Sequence, residues 1–277
     1  MDRVSRRGFT RSVGAAVAAA AGSGSLLAGS SEPILVGQIG TKHAHASGKM
    51  QTMRKLSSLY RVVGVVEPDN ARRQQLNEDP TYKGLSWLTE DELLSTPGLQ
   101  AVAVETEVRD LVATARRCVS ANVDVHLDKP AGTNLSDFKA LLDEAGKRQR
   151  TVQMGYMFRY NPAFRFCFEA VRNGWLGDIF ELDTVMSKTV SDEARGRLAR
   201  YPGGSMFELG CHVIDALVYV LGKPTRITAY GRRTRRDGLA DNQLAVFEYP
   251  GTTATVRSAL IEVDGGKRRQ FVVCGDQ

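Results

Sequence analysis

Ile34-Leu35-Val36-Gly37-Gln38-Ile39-Gly40-Thr41-Lys42-His43-Ala44-His45 is the stretch whose reading decides the fold. An apolar, β-branched run ends in a glycine, and a helical pattern begins a few residues later, as where a buried strand turns tightly into a helix. A second apolar run, residues 60–67, ends in Glu67, at the distance beyond Gly40 where a carboxylate meets a ribose hydroxyl in dinucleotide-binding βαβ units. Further runs at 99–106 and 123–128 read as buried parallel strands. Helical patterns at 47–59, 69–77, 89–94, 110–121 and 135–148 separate them. Strand and helix in alternation predict a doubly wound α/β domain with a parallel sheet.

The glycine loop departs from the usual spacing. With Gly40 as the first glycine of GxGxxG, Lys42 and His45 stand where the second and third glycines let backbone approach a pyrophosphate and let the helix pack closely. Two resolutions are open. Lys42 pairs with phosphate while the helix N-terminus beyond His45 still offers free N–H groups, or the cofactor site has been lost.

After Thr151 the regular alternation ends. One more strand, a helix from residue 162 to 173 and a helix from 203 to 221 accompany strand-like runs at 179–188, 226–232, 243–249, 252–263 and 269–274. Strands gathered in succession predict an α+β second domain with an open, mostly antiparallel sheet. The chain stops just past the last of them, and a further C-terminal portion is expected in the native protein.

The N-terminus is read separately. Ser5-Arg6-Arg7-Gly8-Phe9-Thr10-Arg11 followed by an alanine-rich run reads as a twin-arginine export signal over residues 1–31, cleaved near residues 28–31. Its apolar part is too short and weakly hydrophobic to span a membrane stably. Residues 32–154 then form the first domain and residues 155–277 the second. Of 37 basic and 31 acidic residues, four arginines and one aspartate lie in the leader, so 33 and 30 remain. The basic excess behind a pI of 9.2 falls to about +3, and nucleic-acid binding loses its main support. The remaining basic clusters at 232–236 and 267–269 read as solvated loops, with an anionic sugar or phosphate as the alternative. Cys118, Cys167, Cys211 and Cys274 lack metal-type spacing and are expected to be free, since twin-arginine export carries proteins folded in a reducing compartment.

Chemistry concentrates in two other stretches. Val125-His126-Leu127-Asp128-Lys129-Pro130 reads as a strand that delivers a lysine. Glu208-Leu209-Gly210-Cys211-His212-Val213-Ile214-Asp215 places Glu208, His212 and Asp215 at i, i+4 and i+7, on one face of a continuous helix. A positioned imidazole takes and returns a hydroxyl proton near neutrality, an ammonium stabilises a developing alkoxide, and flanking carboxylates would orient the imidazole.

With these motifs in order, the chain from about Ile34 onward resembles the Gfo/Idh/MocA oxidoreductases, the group containing glucose-fructose oxidoreductase and inositol dehydrogenase. Asp128-Lys129-Pro130 is similar to that family's Glu-Lys-Pro motif. Gly155 to Pro162, with Arg159 and Asn161, is similar to its strand-to-helix substrate segment, and Gly203-Gly204 through Asp215 to its GxHxxD helix. The resemblance implies a Rossmann domain followed by an open-sheet domain that also mediates homo-oligomer formation, with catalysis in the cleft between them. It implies Lys129 at the substrate hydroxyl and nicotinamide, His212 as acid/base, Glu208 and Asp215 as catalytic partners, and Arg159, Asn161 and His212 on the substrate. NAD or NADP would be held by Gly40, Thr41, Lys42, His43, His45, Glu67, Thr106, Asp128 and Lys129. Glu67 favours NAD by repelling a 2′-phosphate, although Arg72 and Arg73 lie nearby.

All four histidines, His43, His45, His126 and His212, fall where that fold places its cleft. Imidazoles converging with Glu208 or Asp215 form a donor set for zinc. The reading adopted assigns no metal and has His43 and His45 contact phosphate or sugar. Export to the periplasm, by the twin-arginine translocase, removes the soluble nicotinamide pool. The expected activity is therefore hydride transfer between a sugar or polyol hydroxyl and a non-dissociating cofactor. The alternatives are an NAD-dependent glycoside hydrolase of the same superfamily and a periplasmic sugar-binding module that has lost the cofactor.

Overall fold

A computed structural model describes residues 32–277. The twin-arginine reading of residues 1–31 lies outside the described residues. No helix among the described residues is long and apolar enough to cross a membrane.

The first domain is built on six parallel strands, β1 (Ile34–Ile39), β2 (Tyr60–Val66), β3 (Trp87–Leu88), β4 (Ala101–Val104), β5 (Asp124–Leu127) and β6 (Val152–Met154), in the order 3-2-1-4-5-6. Helices α1 (Ala46–Lys55), α2 (Asn70–Asn77), α3 (Glu90–Leu94), α4 (Leu111–Ser120) and α5 (Leu135–Arg148) make the crossovers. Side chains alternate across each strand, so β4 sends Val102 and Val104 toward Leu111, Ala115, Val119 and Leu141 on one face. Its Ala103 joins Val36, Met50, Met53 and Tyr82 on the other. Both faces are covered, as a parallel sheet requires. The two-residue β3 was not anticipated, because so short a run has no readable period.

This order reverses between β1 and β4, which places the topological switch point at their carboxyl ends, beside the loop after Ile39. Gly40 is indispensable there. Its φ is +87°, and a Cβ would lie 2.7 Å from the Thr106 nitrogen and 2.8 Å from the Glu105 carbonyl group. The buried Gln38 amide donates to the Gly40 carbonyl at 2.9 Å and to the Tyr82 hydroxyl at 3.1 Å, fixing the turn from below.

The second domain contains α6 (Pro162–Arg172), β7 (Ile179–Val185), α7 (Asp192–Leu198), α8 (Cys211–Leu221), β8 (Arg226–Arg232), β9 (Asn242–Glu248), β10 (Thr253–Ala259) and β11 (Gln270–Gly275). Its sheet runs β11-β7-β10-β9-β8, and β7 pairs with β10 in parallel while the other neighbours are antiparallel. The sheet is thus mixed, because β7 returns beside β10 only after the intervening helices and two strands. Leu182, Leu209, Val213, Leu217, Ala254 and Val256 fill the core between this sheet and α8.

Helix α7 was missed by sequence reading, since its polar sequence reads as a loop. Ser191 caps it, and Arg195 anchors it to Asp237 and to the fully buried Asp241. Within the basic cluster at 232–236, Arg233 donates to the Gly238 carbonyl and Arg235 pairs with Asp192, so two of its charges are tied within the domain. The four cysteines are free.

Candidate active site

The helix carrying His212 is not the continuous one its spacing predicts. A π-helical turn over Met206–Gly210 precedes α8, and the wider turn breaks the i, i+4, i+7 register between Glu208 and His212. The segment enters through Gly204, where φ is +55° and a Cβ would fall 2.1 Å from the Ala240 carbonyl oxygen. The expectation that Glu208 and Asp215 orient the imidazole is therefore corrected: neither bonds to His212.

Each carboxylate holds a cation instead. Lys129 Nζ, on a side chain only 3% exposed, donates to the Glu208 carbonyl oxygen at 2.8 Å and sits 3.4 Å from its Oε1. Lys188 Nζ approaches the same Oε1 at 3.7 Å. Asp215 takes both arms of Arg159, Nε at 2.6 Å and an Nη at 2.7 Å, and the guanidinium lies 4.4 Å over the Tyr219 ring.

His212 is 5% exposed and flanked edge-on by Tyr156 and Phe158, and its Nδ1 has no hydrogen-bond partner among the described residues. Burial first, then the Lys129 charge, pushes its pKa down to about 3, so the resting ring is neutral and a weak base. Beside it an apolar cavity of about 240 Å³ is lined by Phe158, Phe164, Val213 and Phe271. Asn161 has a structural task, its side-chain oxygen capping α6 by accepting from the Ala163 and Phe164 amides.

On the first domain, α1 begins at His45 without a side-chain cap and without an acidic residue in its first turn. Its free N–H groups and dipole make an anion site, and this fits a dinucleotide pyrophosphate. Glu67 ends β2 where a ribose carboxylate belongs, but it accepts from Thr41 Oγ1 at 2.5 Å and from the Asp69 amide at 3.1 Å. Arg72 Nε donates to the same Thr41 hydroxyl. Lys42 pairs with Asp69 at 3.6 Å, both side chains being 43% exposed. Thr106 follows β4, its amide against Gly40.

The histidines do not converge on Glu208 or Asp215, so that donor set is also corrected, both carboxylates being committed to lysine and arginine. His43 and His45 instead meet Asp128. His45 Nδ1 lies 3.0 Å from Asp128 Oδ2, and His43 Nδ1 lies 3.2 Å from the same oxygen. His126 stands apart, bonded to Lys49 and Gln153. Burial raises the Asp128 pKa, but the two imidazoles more than reverse this and hold the carboxyl well below its usual range. Sequence reading missed Glu105 in this group. It is fully buried, and burial followed by the Asp128 charge pushes its pKa up to about 9. The available signal was a carboxylate at the end of an otherwise apolar strand.

The comparisons with known proteins agree with this architecture. Residues 34–156 match the model of the oxidoreductase family with an NAD-binding Rossmann fold, and residues 164–277 match the GFO/IDH/MocA C-terminal domain. The trans-1,2-dihydrobenzene-1,2-diol dehydrogenase of Sus scrofa is 26% identical over 199 residues, covering 70% of this chain and 58% of that protein. The myo-inositol 2-dehydrogenase of Thermotoga maritima is 26% identical over 232 residues, covering 82% of this chain and 62% of its own. The chain therefore spans about three-fifths of the length of these relatives. The WlbA dehydrogenase of Bordetella pertussis, solved with NADH and UDP-GlcNAcA, superimposes with a TM-score of 0.79 at 16% identity, over 90% of this chain and 73% of that one. With both of its domains matched in order, the chain belongs to the Gfo/Idh/MocA oxidoreductase family.

Proposed function

We propose that the protein is an NAD(P)-dependent oxidoreductase moving a hydride between a sugar, cyclitol or related diol carbon and a tightly held nicotinamide. The observation that carries this reading is the pairing of a buried lysine with a buried, neutral, unpartnered histidine at the facing edges of the two domains. The nicotinamide supplies the hydride acceptor when bound. His212 takes the hydroxyl proton, and the Lys129 ammonium stabilises the alkoxide as it develops. Glu208 keeps Lys129 in place, Asp215 and Tyr219 fix Arg159, and the 37% exposed Arg159 side chain receives a second substrate oxygen.

The dinucleotide would be held by the α1 N-terminus with Gly40, Thr41, Lys42, His43 and His45, with Glu67 toward the ribose and Thr106, Asp128 and Lys129 toward the nicotinamide. Glu67 supports NAD over NADP. On the twin-arginine reading of residues 1–31, the enzyme folds around its cofactor before translocation and works in the periplasm with a non-dissociating nucleotide. Tyr230 and Val272, exposed on the open face of the sheet, support assembly into a homo-oligomer.

A second reading, a sugar-binding module without cofactor, is favoured by the ribose-side groups satisfying one another: Thr41, Glu67 and Arg72 form one chain, and Lys42 is paired. Denaturing the purified protein and identifying released nucleotide by mass spectrometry separates the two. Stoichiometric NAD(P) is expected. Its absence, with no saturable rebinding, overturns the oxidoreductase reading. Turnover of nitrophenyl glycosides in place of free sugars would move the assignment to the NAD-dependent hydrolases.

A further inference from the structure

At the carboxyl ends of β1, β4 and β5 the described residues crowd acceptors against acceptors. Asp128 Oδ2 lies 3.0 Å from His45 Nδ1 and 3.2 Å from His43 Nδ1, and His43 Nδ1 lies 3.6 Å from Glu105 Oε2. The ligand atoms of His43, His45 and Asp128 all fall within 4.8 Å of one another. The His43 tautomer follows from its other nitrogen, because Nε2 is 3.1 Å from the Lys129 carbonyl oxygen and can only donate to it. That leaves an electron pair on Nδ1 near two carboxyl groups, where it accepts a long hydrogen bond from the His45 backbone amide at 3.3 Å.

Glu105 is an independent observation. Its side chain is fully buried, and neither carboxyl oxygen has a hydrogen-bond partner among the described residues. A buried polar group without a partner is costly, and more so when charged. Nothing in the packing of β4 explains why a carboxyl is placed there.

We propose that His43 Nδ1, His45 Nδ1 and Asp128 Oδ2 form a binding site for one divalent transition-metal ion of the zinc class, with the buried Glu105 carboxyl beside His43.

The spacing suits it. With metal–nitrogen and metal–oxygen bonds of about 2.0–2.2 Å, the edges of a tetrahedron are roughly 3.3–3.6 Å, and the separations of 3.0 and 3.2 Å from Asp128 Oδ2 to the two imidazole nitrogens fall a few tenths of an ångström short of this. Two imidazoles with carboxylates select zinc, cobalt or nickel over magnesium and calcium. The His43 Nε2 contact to the Lys129 carbonyl is the second-shell bond that fixes a ligating histidine in its metal-binding tautomer. Lys49 opposes the ion, its Nζ lying 4.0 Å from Asp128 Oδ2. His43, His45 and Asp128 also stand in the proposed nucleotide loop, so the ion and a dinucleotide would compete for these side chains.

The test is to strip the purified full chain with a chelator, then titrate it with Zn²⁺ by calorimetry and with Co²⁺ by visible absorption. One ion per chain is expected, with the intense cobalt bands of a four-coordinate site. His43→Gln should weaken Zn²⁺ binding by at least ~10–100-fold, and Lys49→Met should tighten it several-fold by removing a cation. His45→Gln alters a ring that is 44% exposed, so it tests ligation without disturbing the core, and near-UV circular dichroism checks the folding of each variant. Absence of saturable binding to the wild-type chain, or wild-type affinity in folded His45→Gln, overturns the proposal.

Discussion

The loop after β1 and the π-turned helix of the second domain bury similar side chains and treat them in opposite ways. On the helix side each charge meets its opposite, Lys129 with Glu208 and Arg159 with Asp215, which leaves one neutral imidazole nitrogen unpartnered. On the loop side Asp128 and Glu105 sit together below two imidazoles, and both Glu105 oxygens are unpartnered. On the proposed readings, the pairing leaves His212 free as the proton acceptor, whereas the crowding makes a site for a cation. In both places function is marked by the buried polar atom that lacks a partner rather than by the ion pairs around it.

The contrast breaks most decisively at the paired side. Lys129→Met and His212→Asn are each expected to lower kcat/KM by roughly 10²–10⁴-fold, with thermal unfolding largely retained; a folded variant of either at wild-type rate would remove the proton-transfer assignment. The next effect is acid sensitivity. The folded His212 pKa, about 3, lies below its unfolded value near 6.5, so the unfolded chain takes up the proton first. The associated stability is fully present above pH ~6.5 and is lost as pH falls toward about 3, by up to about 5 kcal/mol. Denaturant titrations at stepped pH should show a shallower loss in His212→Asn than in wild type, and equal slopes would refute this source of acid lability.

Gly204→Ala comes next. Positive φ and the 2.1 Å approach to the Ala240 carbonyl predict about 2–3 kcal/mol of destabilisation, read as a lowered denaturation midpoint. A neutral result would mean that the π-turn forms without a tight entry. The smallest effect is expected at Lys42→Ala, because the Lys42–Asp69 pair is 43% exposed on both sides and contributes less than about 1 kcal/mol. A large fall in nucleotide affinity in that variant would show that Lys42 has left Asp69 for phosphate, and would sharpen the reading of the loop.

The doubly wound domain was legible because buried parallel strands are continuous apolar runs, and their alternation with helices leaves few topologies. Lys129, His212 and Arg159 were legible because chemically rare residues stand in motifs with fixed order. Helix α7 was not, since its anchor, Arg195, finds Asp237 and Asp241 more than forty residues away. Glu105 was hidden in a strand whose apolar neighbours define it.

The sequence by itself determined the two-domain order, the six-stranded parallel sheet in all but its shortest strand, and the identity of the polar residues at the cleft. Only the tertiary structure decided their partners. Asp215 serves Arg159 rather than His212, Glu208 serves Lys129, and His43 and His45 gather on Asp128, with Glu105 beside His43. The physical reason is that periodicity assigns a side chain to a face, while hydrogen bonds and charge pairs depend on a few ångströms between elements distant in sequence, and one π-turn suffices to redirect them.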